Sequence, residues 1–359
     1  MINNSNTYLK GRGAQGFNNN KFDKLKYSLD HIEGLDEEFI SSTKTEIIKE
    51  FPKKIISENK SEDLSFSGSI NPYHGCEHGC IYCYARNSHE YWGFNAALDF
   101  ETKIIIKPDA AQLLRKEFNK KNYQPKPILL SGNTDCYQPI ERKLKITRSL
   151  LEVFLEYRHP VNIITKNDLI LRDLDLLTAL NELDLIHVNM SITTLNEDLR
   201  QKMEPRTVTG KRRLEVLMQL SDVGIPVSVM VAPIIPGLNS EEIPSILKAA
   251  ADNGALSAGF TIVRLNGAIA DIFKDWIYKA FPDRAQKVLH GIAACHDGKL
   301  NDSRWGNRLK GDGVEAEAIH QLFKISVKKY GLLKERKRLN FDSFRRYSDP
   351  QLSLFGNTI

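Results

Sequence analysis

The chain has 359 residues, 41% apolar and 26% charged, with a net charge of +5, which leaves room for one large domain with appendages. No apolar run is long enough to cross a bilayer, and the polar, Asn/Gly-rich opening residues lack the hydrophobic core of a secretory signal. Five cysteines, three of them clustered, do not make a disulfide framework, and a reducing cytoplasm fits them.

In chain order, residues 1–60 read as an N-terminal extension, with Lys10-Gly11-Arg12-Gly13 and Asn18-Asn19-Asn20 as flexible chain. From there, short β-rich runs alternate with helical patterns. The expected strands are 66–71, 103–107, 128–131, 161–165, 186–192, 227–232 and 260–264. Helices are expected over 108–118, 140–157 and 211–223; in the last, Leu214, Leu217 and Met218 fall on one face, and Gly224 and Pro226 supply the stop. Such alternation implies parallel pairing with helical crossovers, an α/β fold built as an open or partial (β/α)6 TIM-like barrel over 61–270. A helical C-terminal region follows over 271–338, then a flexible tail over 339–359.

The segment from Asn71 to Arg86, NPYHGCEHGCIYCYAR, sets Cys76, Cys80 and Cys83 within eight residues. Three thiolates can hold three irons of a four-iron, four-sulfur cube and leave the fourth open, whereas full ligation takes four cysteines. The alternative is a zinc site completed by His74, His78 or His89.

If the barrel is right, polar residues after each strand line the site. They are the SGNTDCYQPIE run, Thr165-Lys166-Asn167, Asn189 and Ser191, Glu204-Pro205-Arg206, the run from Ala232 to Asn239, and Arg264. Each has a plainer role: Thr134 and Asp135 as a helix cap, Lys166 as a surface lysine, Arg206 as a partner of Glu204 or another carboxylate.

The cysteine spacing, with Tyr82 ahead of the last cysteine, resembles the radical S-adenosylmethionine (SAM) enzymes. The wider sixteen-residue string is similar to their branch related to spore photoproduct lyase. The resemblance implies a [4Fe–4S] cluster on Cys76, Cys80 and Cys83, with S-adenosylmethionine on the open iron. It also implies reductive cleavage of that cofactor to a 5′-deoxyadenosyl radical, and an electron donor such as flavodoxin or ferredoxin. By similarity, Thr134, Asp135, Lys166 and Ser191 contact the cofactor, and Tyr82 lies against its adenine. Tyr82 and Tyr84 occupy the tyrosine positions that help hydrogen transfer in the lyase. The lyase's donor cysteine has no counterpart, since Gly132 stands there; Cys136 is a candidate relocated donor or a structural thiol, and Cys295 reads as structural.

Residues 299–346 hold thirteen Lys/Arg against six Asp/Glu, a local excess of seven, so the rest of the chain sums to about −2. That basicity is either a solvated face or a nucleic-acid surface. Beyond it, Gln351-Leu352-Ser353-Leu354-Phe355 matches the bacterial sliding-clamp-binding pentapeptide, an extended peptide offering two leucines and a phenylalanine to an apolar groove. The expectation is a radical SAM enzyme acting on nucleic acid in a repair-like reaction, with no membrane partner. The alternatives are a protein or small-molecule substrate, and a non-enzymatic metal- or clamp-binding module.

Overall fold

Runs of Val and Ile separated by amphipathic helices leave the chain one economical solution, a parallel sheet covered by its own crossovers. The computed structural model describes residues 8–16, 18, 20–22, 44–59, 61, 63, 66–335 and 337–347. Among these, the strands are β1 (Glu46–Lys49), β2 (Ile56–Glu58), β3 (Gly68–Ile70), β4 (Tyr73–His74), β5 (Lys103–Ile106), β6 (Ile128–Leu130), β7 (Val161–Thr165), β8 (Ile186–Ser191), β9 (Val227–Ile234) and β10 (Ser257–Ile262).

The large sheet has the order β10-β9-β8-β7-β6-β3-β2. Its strands β3 and β6 to β10 pair in parallel, and β2 closes the edge antiparallel to β3. This is the α/β fold with six parallel strands expected of a partial (β/α)6 barrel. The run at 103–107 is a strand but does not join the barrel wall. It forms β5 at the centre of a second sheet, β1-β5-β4. The N-terminal extension therefore supplies strands to both sheets.

The helices follow their apolar stripes, with two departures. The stretch 140–157 breaks at Lys145, which has φ of 53°, into Glu141–Leu144 and Ile146–Glu156. The break sets Glu141, buried, beneath the amide of Thr147 and the hydroxyl of Tyr73. In Gly210–Asp222, capped by the Thr209 hydroxyl, the inward stripe is Arg213, Val216, Leu217 and Leu220. Arg213 turns inward to meet Glu204, and Met218 is left 41% exposed.

Three helices close the C-terminal part: Ile269–Ala280, Ala285–Ala294 and Val314–Lys329. Residues 333–335 and 337–346 then run beneath the barrel, along the N-terminal ends of its strands. The amide of Lys334 donates to Leu256, that of Asn340 to Asp184 and that of Arg345 to Tyr157, each just ahead of a strand. The described basic residues of this segment, Lys334, Lys337, Arg338, Arg345 and Arg346, thus lie on the face opposite the strand C-termini. The Gln351–Phe355 peptide lies outside the described residues.

Candidate active site

The cysteine loop leaves β4 through a glycine that nothing else could replace. Gly75 has φ of 77°, and a Cβ there would stand 2.8 Å from the Lys103 carbonyl oxygen. The Cys76 amide donates to the Phe100 carbonyl at 2.8 Å, fixing the loop to the helix before β5. Arg86, fully buried, donates to the carbonyls of Gly79, Cys80, Ala96 and Ala97 and meets Glu101 at 2.6 Å. One guanidinium so satisfies the backbone groups that a tight loop would otherwise leave without partners.

The segment read as flexible around Gly13 is instead part of this assembly. The amides of Gly13 and Ala14 donate to the Glu101 carboxylate at 3.3 and 2.8 Å, and Ala14 and Gln15 are buried. A carboxylate offers four lone-pair sites, and Glu101 uses them to join Arg86 to this N-terminal strap. On the other side, the Ile81 amide donates to Met203 at 3.0 Å and that of Arg206 to His78 at 3.3 Å.

Cys76 and Cys80 are buried, Cys83 is partly buried, and all five cysteines are free thiols. Burial raises all three thiol pKa values in the cluster loop, that of Cys80 to about 12 despite the opposing charge of Lys166. The zinc alternative finds no geometry: among the described residues, no three His, Cys, Asp or Glu side chains are placed to hold one ion. His78 has its ring nitrogens against Asp135, at 3.5 Å, and Asn167, at 3.0 Å.

The strand ends converge on this loop. Asp135, after β6, accepts from the Thr165 hydroxyl and the Lys166 amide, both at 2.8 Å, and from the Tyr137 amide at 2.9 Å. It is the joint between the ends of β6 and β7. The Lys166 ammonium lies 5.9 Å from the centre of the Tyr82 ring. It has no direct hydrogen bond or ion pair among the described residues, and its charge acts on the loop and on the nearby Glu204 carboxylate through space. The Tyr82 hydroxyl donates to Glu204, which also accepts from Thr193 at 2.6 Å and from Arg213 at 2.5 Å. Burial would raise the Glu204 pKa, but Arg213 and Lys166 outweigh it and hold it at about 2. A carboxylate fixed in its charged form locks the tyrosine in place.

The other expected residues separate into two groups. Ser191 is buried at the end of β8, where its carbonyl accepts from Arg213 at 3.1 Å. Tyr84 is 49% exposed, and its hydroxyl donates to the Gly132 carbonyl. Thr134 reaches the same rim but is buried, its hydroxyl donating to Tyr73 at 2.6 Å. Cys136 lies one residue past Asp135 yet is fully buried in the core, with its pKa pushed up by burial first and then by Asp135. Cys295 is also a core residue. Sequence reasoning missed Glu101 and Arg86 as the clamp of the loop, and the Arg213–Glu204–Tyr82 chain. The one available signal was chemical: Arg86 and Glu204 stand in or beside motif runs with no solvent-facing periodicity.

A family model described as "Radical SAM superfamily" matches residues 70–250. The chain belongs to the radical SAM superfamily. Among curated relatives, it is 31% identical over 222 residues to the uncharacterized protein Rv2578c of Mycobacterium tuberculosis (strain ATCC 25618 / H37Rv), covering 61% of this chain and 65% of the relative. It is also 31% identical over 197 residues to the uncharacterized protein MJ0683 of Methanocaldococcus jannaschii, covering 55% of this chain and 71% of that one. The match thus spans just under two thirds of the first relative's length. Solved structures of spore photoproduct lyase share the fold. One of them, with bound AdoMet and dinucleoside spore photoproduct, superposes with a TM-score of 0.59 at 16% identity over 80% of each chain.

Radical SAM proteins use a [4Fe–4S] cluster and S-adenosylmethionine, and the donor set fits that pair. Three free thiols on one loop, Cys76 and Cys80 buried and Cys83 partly so, suit a cube with one corner open. A lysine with no direct ion-pair partner among the described residues and an aromatic ring held rigidly beside it suit an amino-acid carboxylate and a purine.

Proposed function

We propose that this protein is a radical SAM enzyme acting on a nucleic-acid strand in a repair-like reaction. When bound, the cluster and S-adenosylmethionine supply reductive cleavage of a carbon–sulfur bond, giving methionine and a 5′-deoxyadenosyl radical that abstracts hydrogen from the substrate. Cys76, Cys80 and Cys83 hold the cluster, Lys166 takes the cofactor carboxylate, and Tyr82, fixed by Glu204, walls the adenine. Asp135 sets the position of Lys166 through its amide, with Thr134 and Ser191 closing the same rim. Tyr84, the exposed aromatic next to Cys83, faces the substrate side.

The observation that carries this reading is the meeting of three free, buried or half-buried thiols with the Lys166–Tyr82 contact at the strand C-termini. The nucleic-acid substrate draws on the fold shared with spore photoproduct lyase. Cys136, sealed in the core, requires an opening of the β6 turn to serve as hydrogen donor. The reductant is a flavodoxin or ferredoxin, the compartment a reducing cytoplasm, and the tail peptide at Gln351 to Phe355 a ligand for the sliding clamp.

Anaerobic reconstitution with iron and sulfide, followed by dithionite and an assay for 5′-deoxyadenosine, tests the chemistry. A fully loaded cluster that leaves the cofactor intact refutes it. Clamp affinity unchanged on deleting residues 351–355 refutes the tail assignment. A protein or small-molecule substrate is the second reading, favoured by the placement of the described basic residues around Lys334 and Arg345 on the face away from the cysteines. Damaged and undamaged oligonucleotides that both fail to bind decide for it.

A further inference from the structure

Arg264 stands two residues past the end of β10, partly buried, with no hydrogen-bond or ion-pair partner among the described residues. A guanidinium that has lost part of its water without an acceptor among the described residues carries a desolvation cost. Burial and then the neighbouring charge of Arg308 act against its protonated form, and the smaller contributions of Tyr84 and Asp63 do not offset them.

Arg308 itself is matched. Its Nε meets Asp63 at 2.5 Å, its guanidinium also reaches the Ser61 hydroxyl, and it lies 4.9 Å over the ring of Trp305, which is 55% exposed. Asp63 further accepts from the Gly306 amide at 2.7 Å. Among the described residues, Arg308 and Asp63 pair with each other and Arg264 is left with no direct ion-pair partner.

Three pieces of chain bring that charge to the reacting end of the barrel. The amides of Ile262 and Leu265 donate to Leu309 and Leu300 at 2.9 and 2.8 Å, folding the 300–309 loop along the last strand. Asp63, from the loop leading into β3, ties that loop to the first parallel strand. Asn87 donates to the Asn266 carbonyl at 2.7 Å and accepts from the Ala268 amide at 3.1 Å. Those bonds pin the chain just after Arg264 to the helix Tyr84–Trp92, which begins at the residue after Cys83. Tyr84 lies within electrostatic reach of Arg264.

Resting on the nucleic-acid reading above, we propose that Arg264 is the anion-binding residue of the substrate site. It takes one phosphodiester of a strand whose reacting nucleoside lies beside Tyr84, and Arg308 and Trp305 flank it. A phosphodiester carries a single negative charge, which matches the Arg264 guanidinium left without a direct ion-pair partner among the described residues, and the planar fork of arginine suits its oxygens. Trp305 adds a flat, exposed surface of the kind on which bases stack. The far-side basic stretch has no part in this contact.

The test is binding of a fluorescein-labelled thymidine oligonucleotide to the cluster-loaded protein, by anisotropy over a range of salt, with inorganic pyrophosphate as a second probe. Arg264→Gln is expected to weaken oligonucleotide binding about ten- to a hundredfold and to reduce the log–log salt slope by about one unit. Arg264→Lys recovers part of the loss, and Arg338→Gln, on the opposite face, changes nothing. Melting temperature supplies a readout that a structural role would move the other way: removing an unpaired, crowded charge leaves the fold as stable or more so. Equal oligonucleotide binding by parent and Arg264→Gln, or a marked loss of stability in the variant, overturns the assignment and leaves the nucleic-acid reading standing. A parent that binds pyrophosphate through Arg264 but no oligonucleotide overturns the nucleic-acid reading and supports an anion site for another phosphate compound. A parent that binds neither overturns both.

Discussion

Gly13 lies so close to Gly79 that a Cβ on the first would stand 1.7 Å from the carbonyl oxygen of the second. Gly79 directly precedes Cys80, so the N-terminal strap is seated on the cluster loop itself. Gly13→Ala must push the strap off or distort the loop, since the obstacle is backbone. The expected result is a chain that folds but retains less than half of its iron after desalting, measured by iron and sulfide content per chain. Lys10→Ala, at an exposed position of the same segment, is expected to retain all of it. Equal iron in both variants would show that the strap is dispensable.

Glu101 couples that strap to the loop from the other side. Its charge answers Arg86 at 2.6 Å, with both side chains fully buried. Glu101→Gln leaves a buried guanidinium without its counter-charge, a change that costs about 3–5 kcal/mol. The apo protein should melt lower by on the order of 10 °C. Arg115→Gln, which breaks the part-exposed Arg115–Glu156 pair, should cost well under ~1 kcal/mol.

Much of this architecture was legible because it depends on local signals. The β7 run Val161–Thr165 and the cysteine loop were both readable from residue type and spacing. What stayed hidden depends on distant partners. Nothing local distinguishes the strand at Lys103–Ile106, which pairs with β1 and β4, from one of the barrel wall. The Gly-rich opening reads as flexible because glycine's freedom and its use in close approach look the same in sequence. Likewise, the 299–346 excess is one number in sequence but two surfaces in space, with Arg308 beside Arg264 and Arg345 beneath the barrel.

Lys166 is the cation beside the cysteine loop with no direct ion-pair partner among the described residues. Replacing it with methionine keeps the aliphatic stem against Tyr82 and removes only the ammonium. Affinity of the cluster-loaded protein for S-adenosylmethionine should fall about ten- to a hundredfold, the worth of one hydrogen bond to a charged group. Calorimetric titration measures this without turnover. Unchanged affinity would remove Lys166 from the cofactor site.

Gly132 occupies the place where the lyase-like pattern would put a hydrogen donor, and there is no room for one. A Cβ there would lie 2.9 Å from the Ser69 Cβ on β3. Gly132→Cys should therefore destabilise the protein by about 1–3 kcal/mol through overpacking. Adding Ser69→Gly should recover part of that loss, a coupling readable from a double-mutant cycle of unfolding free energies. Strict additivity would mean that the two sites do not touch.

His159 gives the fold a defined acid limit. Its ring stacks on Phe118 at 4.5 Å, accepts from the Tyr123 hydroxyl at 2.9 Å and takes the edge of Phe344 at 5.7 Å. Burial lowers its pKa from 6.5 to about 4, against the opposing hydrogen bond to the Pro160 carbonyl. Between those two values the unfolded chain binds a proton that the folded chain refuses, so stability is complete above about pH 6.5 and is lost as pH falls toward 4. The whole window is worth about 3 kcal/mol. His74 and His89, held low at about 3 and about 4 by burial, act in the same direction and remain in any His159 variant. The melting temperature of the apo parent should therefore drop more steeply from pH 6.5 to 4.5 than that of His159→Gln. Since Phe344 anchors the segment beneath the barrel, hydrogen exchange at residues 340–346 should quicken over the same range in the parent. Parallel melting curves for the two proteins would place the acid sensitivity elsewhere.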